Sequence, residues 1–207
     1  MLKISLVLLM SFRGEASQVF TQQECEYIIS LTNHIESFEY NLDLSNVTTR
    51  DTVRLTKSFR EAPQLVKNDI KVIRQKILGI VEKYIHEKIY IEYSNMCFRH
   101  KGSAHPIHVD NRVYDHNTNT YKIVEGKNNA ERHYSAILYL NKCEGGEFCF
   151  HNKDTRKEEE VFTIETGKLL FFSSGVENLH SSRITNADRW SFVMFFTRNK
   201  NAEENIE

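Results

Sequence analysis

At 207 residues, 40% of them hydrophobic and with 13 Phe and 9 Tyr, the chain is long enough for one domain with a full core and too apolar to stay disordered. A formal net charge of −1 provides no basic surface for nucleic acid or an anionic membrane, and neither partner is expected. No apolar run reaches the length of a membrane span, and the chain has no repeats or low-complexity tracts.

The first segment admits two readings. Lys3, the apolar run Ile4 to Met10, and Gly14-Glu15-Ala16 match a short signal peptide with small residues before a cleavage point. The same run would also form a leading β-strand. The first reading is preferred. It makes residues 1–16 a leader and 17–207 a single domain, and it places the chain in the secretory pathway or endoplasmic reticulum lumen rather than the cytoplasm. Asn46-Val47-Thr48 would then be a glycosylation sequon. Cys25, Cys97, Cys143 and Cys149 lack zinc-ribbon spacing. Cys143 and Cys149 flank Glu144-Gly145-Gly146 and could face each other across a hairpin; a disulfide and buried thiols both remain open.

Thr21 to Glu24 forms a capping box, and Cys25, Ile28, Ile29 and Leu31 continue a helical stripe to about His34. Residues 35–51 are polar and predict a loop, with a short strand from Val53 to Phe59. Pro63 opens a longer helix, in which Leu65, Val66, Ile70, Ile73, Ile77, Ile80, Val81 and Tyr84 recur at helical spacing. From Ile89 the period changes to two. Strands are predicted over 89–93, 134–140, 147–151, 161–165, 168–173, 179–184 and 189–197, joined mostly by short turns. Helices first and antiparallel strands after give an α+β chain. Its body is a jelly roll of the cupin type, with the N-terminal helices packed on the sheet. Residues 111–132 are too long and polar for a simple connection and predict a lid or binding loop. Lys153 to Glu160 predicts a solvated hairpin tip.

The chemistry concentrates at His108-Val109-Asp110, with His180 far downstream. Two imidazoles and one carboxylate are the ligand set of a non-haem Fe(II) facial triad, which leaves open positions for a co-substrate and O2. In a strand, residues i and i+2 share a face, so His108 and Asp110 can grip one ion. With nine histidines in the chain, H-x-D alone says little. Arg189 adds weight, because it leads into the apolar run Trp190 to Phe196 and a buried guanidinium needs an anionic partner. That partner is either a structural carboxylate or a bound organic acid. A triad with an inward arginine implies the acid, and 2-oxoglutarate is the leading candidate.

From about Cys97 to Arg198 the sequence resembles the catalytic domain of the prolyl hydroxylases. The matching segments are H-P-I-H-V-D-N (105–111), Y-S-A-I-L-Y-L-N (134–141), E-G-G-E-F (144–148), G-K-L-L-F-F-S-S-G-V-E-N-L-H (167–180) and R-W-S (189–191). Within that superfamily they are most similar to the prolyl 3-hydroxylase (leprecan) branch. The resemblance implies a double-stranded β-helix, with its metal and co-substrate core in residues 89–198. It makes His108, Asp110 and His180 the iron ligands and sets Arg189 on the distal carboxylate of 2-oxoglutarate. Tyr139 and Ser191 would add hydroxyls to that carboxylate, and Asn111 would support Asp110. The implied reaction hydroxylates a prolyl residue of a protein or peptide, consuming O2 and releasing succinate and CO2, with L-ascorbate as an accessory reductant. The same chemistry on a lysyl residue or small molecule stays open, as does a non-catalytic jelly-roll binding module. Phe98 departs from the pattern, standing where many prolyl 4-hydroxylases carry a tyrosine.

Overall fold

The computed structural model describes residues 11–34, 39–40, 54–59, 62–115, 117–118, 120–123 and 131–206. Thr21 caps α1 (Gln22–Ser30) through the expected box: its hydroxyl accepts from the Glu24 amide at 3.2 Å, and its own amide donates to the Glu24 carboxylate at 2.7 Å. A 3₁₀ turn, Leu31–His34, completes that helix. Helix α2 (Gln64–Ile85) follows Pro63 and ends at His86 in the left-handed conformation. Its inward stripe is Val66, Ile70, Ile73, Ile77 and Val81, while Leu65 and Tyr84 face water. Arg74 lies within the buried stretch and pairs with Glu204 at 3.3 Å. Glu204 also accepts from the Ser94 amide and hydroxyl, so the C-terminal segment is fastened to the helix and the sheet.

Thirteen strands complete the described chain. They are β1 (Arg13–Ala16), β2 (Glu39–Tyr40), β3 (Arg54–Ser58), β4 (Tyr90–Arg99), β5 (His105–His108), β6 (Val113–Asp115) and β7 (Thr120–Lys122). After these come β8 (Tyr134–Tyr139), β9 (Phe148–His151), β10 (Glu158–Phe162), β11 (Leu169–Ser173), β12 (Leu179–Ser182) and β13 (Arg189–Thr197). The major sheet runs β1-β11-β8-β13-β4-β3-β2, and the minor sheet runs β10-β9-β12-β5. All their pairings are antiparallel, as the jelly roll predicts.

Alternation along three central strands divides the molecule's two jobs. Phe192, Met194 and Phe196 of β13, Ala136 and Leu138 of β8, and Met96 of β4 join the core beneath the helices. Their neighbours Arg189, Ser191, Val193 and Phe195, with Ser135, Ile137 and Tyr139, and Cys97 and Arg99, line a cleft on the opposite face. Both faces are covered, so these strands show no solvent-facing row of charges. Burying each large apolar side chain stabilises the fold by about 1.5–3 kcal/mol.

Three expectations change. The charged run at 153–160 is only partly a turn: Asn152 Oδ1 accepts from the amides of Asp154 and Thr155, and Glu158 already begins β10. That strand sits at an edge, its glutamates face water while Phe162 packs on Phe150, and it begins three residues before the predicted strand at 161–165. Residues 111–132 contain the hairpin β6–β7, braced where the Arg156 guanidinium lies 4.7 Å from the Tyr114 ring. Residues 116, 119 and 124–130 lie outside the described residues. The four cysteines are buried thiols with no disulfide among them; Cys143 and Cys149 each turn to a backbone carbonyl instead.

Residues 1–10 and the sequon at 46–48 also lie outside the described residues, as does most of 35–51. The next segment belongs to the sheet. β1 pairs with β11, and a Cβ on Gly14 would come within 2.4 Å of the Phe171 ring, so only glycine fits beneath it.

Candidate functional site

His108 closes β5 and His180 lies on β12, and the two are direct partners in the antiparallel register. Asp110 is not on the strand. β5 ends at His108, and the bend that follows swings Asp110 back towards both rings. One ligand atom from each of the three lies within 4.8 Å of the others. Asp110 Oδ1 is 3.6 Å from His108 Nε2 and 3.7 Å from His180 Nε2.

Backbone carbonyls set the tautomers. His108 Nδ1 bonds the Pro106 carbonyl and His180 Nδ1 bonds the Asn178 carbonyl, both at 2.8 Å. A carbonyl only accepts, so each Nδ1 carries the proton and each Nε2 turns a lone pair towards Asp110. Two lone pairs and a carboxylate oxygen converging with no hydrogen between them repel one another unless a cation sits there. The donor set therefore fits Fe(II).

Charge states agree with that fit. Burial, with the adjacent His108 acting in the same direction, pushes the His180 pKa down to about 4, so the imidazole is neutral at physiological pH. Burial alone would raise the Asp110 carboxyl. His180, His108 and the Ser135 hydroxyl together outweigh it and hold the group ionised, well below the usual carboxylate range. Ser135 Oγ donates to Asp110 Oδ2 at 2.6 Å and meets Ser174 Oγ at 2.7 Å, which leaves Oδ1 for the ion. The expected helper, Asn111, donates instead to the Arg132 carbonyl at 3.2 Å, because its side chain points away along the bend. Behind His180, the Asn178 amide bonds Phe12 O, Ser173 O and Ser173 Oγ, and its oxygen accepts from Arg13 Nε at 2.7 Å.

Arg189 enters the same cleft from the start of β13 and is 5% exposed. Its Nη1 donates to the Gly146 carbonyl at 2.6 Å, and its Nε has no hydrogen-bond partner among the described residues. No carboxylate of the described residues pairs with it, so the structural ion pair that sequence left open is not seen there. A buried guanidinium in that state fits a guest carboxylate. The Tyr139 ring centroid lies 5.8 Å from the Arg189 guanidinium, and Ser191 is Tyr139's register partner. Burial pushes the Tyr139 phenol up to about 12, so it stays a donor. The cleft is narrow, with a volume of about 70 Å³.

Six of the residues singled out from sequence thus line one cleft, His108, Asp110, Tyr139, His180, Arg189 and Ser191, while Asn111 does not. Sequence reasoning passed over Ser135, Ser174, Arg99 and His105, although Ser135 shares the inward phase of Ile137 and Tyr139. Phe98 does not reach the cleft. It packs on Trp190 and His100, with ring centroids 4.5 and 4.6 Å away.

The sequence profile of the 2OG-Fe(II) oxygenase superfamily matches residues 92–197, about half of the chain. Rat prolyl 3-hydroxylase 2 is 34% identical over 139 residues, covering 60% of this chain and 20% of that protein. Human prolyl 3-hydroxylase 1 is 31% identical over 138 residues, covering 60% and 19%. The chain therefore spans about a fifth of the length of these relatives. Among solved structures, a Trichoplax adhaerens prolyl hydroxylase in complex with a hypoxia inducible factor peptide superimposes with a TM-score of 0.67. It is 14% identical, with 92% of this chain and 85% of that one covered. The viral collagen prolyl hydroxylase of Paramecium Bursaria Chlorella virus-1 gives a TM-score of 0.58 at 15% identity, covering 91% and 97%. These two likenesses establish the double-stranded β-helix fold. The chain belongs to the 2OG-Fe(II) oxygenase superfamily.

Proposed function

We propose that this chain hydroxylates a prolyl residue in a protein or peptide. His108, Asp110 and His180 would hold the iron, and Arg189 would hold the distal carboxylate of 2-oxoglutarate. The observation that carries the site assignment is the meeting, in one cleft, of a buried arginine lacking an Nε partner with the two-histidine, one-carboxylate cluster. The choice of proline is supported by the segments shared with prolyl 3-hydroxylases.

When bound, iron and 2-oxoglutarate supply the oxidising chemistry, turning 2-oxoglutarate and O2 into succinate, CO2 and a hydroxylated substrate carbon. The protein's part is placement. The two Nδ1–carbonyl bonds fix both imidazole planes, and Ser135 fixes which Asp110 oxygen faces the ion. Arg189 orients the co-substrate, with the protonated Tyr139 and the Ser191 hydroxyl as neutral donors beside it. The apolar side chains Ile137, Val193 and Phe195 exclude water from one wall of the cleft. Ascorbate would serve as an accessory reductant that returns the iron to Fe(II).

A 2-oxoglutarate turnover assay with a panel of proline-rich peptides, read by mass spectrometry, tests this reading. The expected result is one added oxygen on a prolyl residue, matched by succinate. Oxygen appearing only on lysyl peptides or a small molecule would overturn the choice of substrate while keeping the chemistry.

A further inference from the structure

We infer that Gly146 is a positioning residue for the co-substrate arginine. Its carbonyl, and the space where a side chain would sit, hold the Arg189 guanidinium in the orientation that leaves Nε for the distal carboxylate. The inference rests on the reading that Arg189 grips that carboxylate. It starts from the turn between β8 and β9. Gly146 has φ +69°, in the left-handed region that favours glycine. Its amide donates to the Ile184 carbonyl at 2.9 Å, and Gly145 forms a bridge with Thr185 beside it. The Asn186 amide donates back to the Glu144 carbonyl at 2.8 Å. Thr185 is anchored in its turn: its amide bonds the Ser103 carbonyl and its hydroxyl the His100 carbonyl, both at 2.9 Å. The Gly146 carbonyl is therefore held in place by bonds that do not involve the Arg189 side chain.

That carbonyl accepts from Arg189 Nη1 at 2.6 Å, a short, charge-assisted bond. A guanidinium is planar and rigid, so directing one of its nitrogens restricts the whole fork. Nη1 lies across the fork from the Nε hydrogen, and committing it to the turn leaves the Nε edge for a guest. Nε has no hydrogen-bond partner among the described residues. Space matters as much as the bond. A Cβ built on Gly146 would stand 3.0 Å from Arg189 Nη1 and 2.7 Å from Thr185 Cγ2. Arg189 is buried against the same turn, so its head group has little room to retreat. An alanine at this position would push Nη1 off the carbonyl or rotate the fork, and either change redirects Nε. Gly146 touches no reacting atom; it acts through Arg189. Such a fork is oriented before its anion arrives.

The test measures binding rather than turnover, using the whole chain loaded with Mn²⁺ and titrated by calorimetry with 2-oxoglutarate and separately with pyruvate. Pyruvate keeps the keto acid but lacks the distal carboxylate. Gly146→Ala is expected to weaken 2-oxoglutarate about tenfold or more, the effect of misdirecting a charge-assisted hydrogen bond in a buried site. Pyruvate and Mn²⁺ affinities should stay at the parental values. Gly146→Ala/Thr185→Ser removes the methyl that the new Cβ would strike and keeps the hydroxyl that bonds His100. It should regain melting temperature without regaining 2-oxoglutarate affinity, and it covers the case in which the alanine variant alone fails to fold. In an Arg189→Met background, Gly146→Ala should cost no further 2-oxoglutarate affinity, because its effect passes through the guanidinium. Parental 2-oxoglutarate binding in both alanine variants, with Arg189→Met impaired, would overturn the inference and leave the Arg189 reading intact. Equal losses for pyruvate and 2-oxoglutarate, or an undiminished loss in the Arg189→Met background, would overturn it too, by showing that the turn acts on the fold. If Arg189→Met alone binds like the parent, the underlying reading falls instead.

Discussion

A metal site depends on which atom of each ligand is offered, and here small neighbours decide. Ser135 commits Asp110 Oδ2, so Oδ1 is left to face both Nε2 atoms. Ser135→Ala should lower Mn²⁺ affinity by about tenfold or more, in line with other groups that support ligands from behind. The melting temperature of the metal-free protein is the control, and it should move little. An unchanged Mn²⁺ titration would show that Asp110 is aligned without the hydroxyl. His180 predicts a pH response in the metal-free protein. Its folded pKa is about 4 against an ordinary 6.5, so the stability tied to its neutral form is present above 6.5 and lost as pH falls towards 4. Asp110, also lowered, acts in the same direction at still lower pH. Denaturant midpoints across that range should decline, and replacing His180 with Gln should flatten the decline between pH 6.5 and 4. At this scale His108, Asp110, His180 and Arg189 were legible because imidazoles, a carboxylate and a buried guanidinium carry chemistry in any context. Ser135 was not, because a serine in a strand looks the same whether it faces a carboxylate or water.

Among the elements, β1 does more than close an edge. Arg13 bonds Asn178, and the Asn178 carbonyl orients His180, so an N-terminal strand lies two hydrogen bonds behind a ligand. Arg13 also reaches Glu160 at 3.1 Å and lies 4.1 Å from the centre of the Phe150 ring. A protein consisting of residues 17–207 lacks this brace. It should melt at a lower temperature than the parent and bind Mn²⁺ more weakly, and calorimetry on both proteins measures each effect. Equal melting and equal metal binding would show that the strand is dispensable. The alternatives of leader and strand were read on Ile4 to Met10, which lie outside the described residues; β1 falls on Arg13 to Ala16, a polar stretch whose partners in the sheet lie more than a hundred positions away. Strands buried on both faces announced themselves by apolar runs, as β11 and β13 did. β10 was expected only from Val161, and its first three residues were missed, since solvated glutamates at an edge are held by backbone bonds that sequence does not display.

For the whole molecule, one sheet serves as both foundation and site. The phase of β13, β8 and β4 sends alternate residues to the helix-covered core and to the cleft, so stability and chemistry are encoded in interleaved positions. Substitutions on the two faces should separate. Ile77→Ala, beneath the sheet, should cost about 2–5 kcal/mol of stability, with the KM for 2-oxoglutarate unchanged at temperatures where the variant is folded. A raised KM in that variant would mean that the faces are mechanically coupled. This division was visible as a pattern of two but not as an assignment, because alternation gives a strand two faces without naming which one is wet. The most direct test of the central claim, that His108, Asp110 and His180 hold the iron, is an anaerobic calorimetric titration of Fe(II) into the parental protein and into His180→Ala. The account predicts a single ion bound per parental chain and a large loss of affinity in the variant, because one of three protein ligands is gone. Fe(II) binding to His180→Ala with parental affinity and stoichiometry would contradict it.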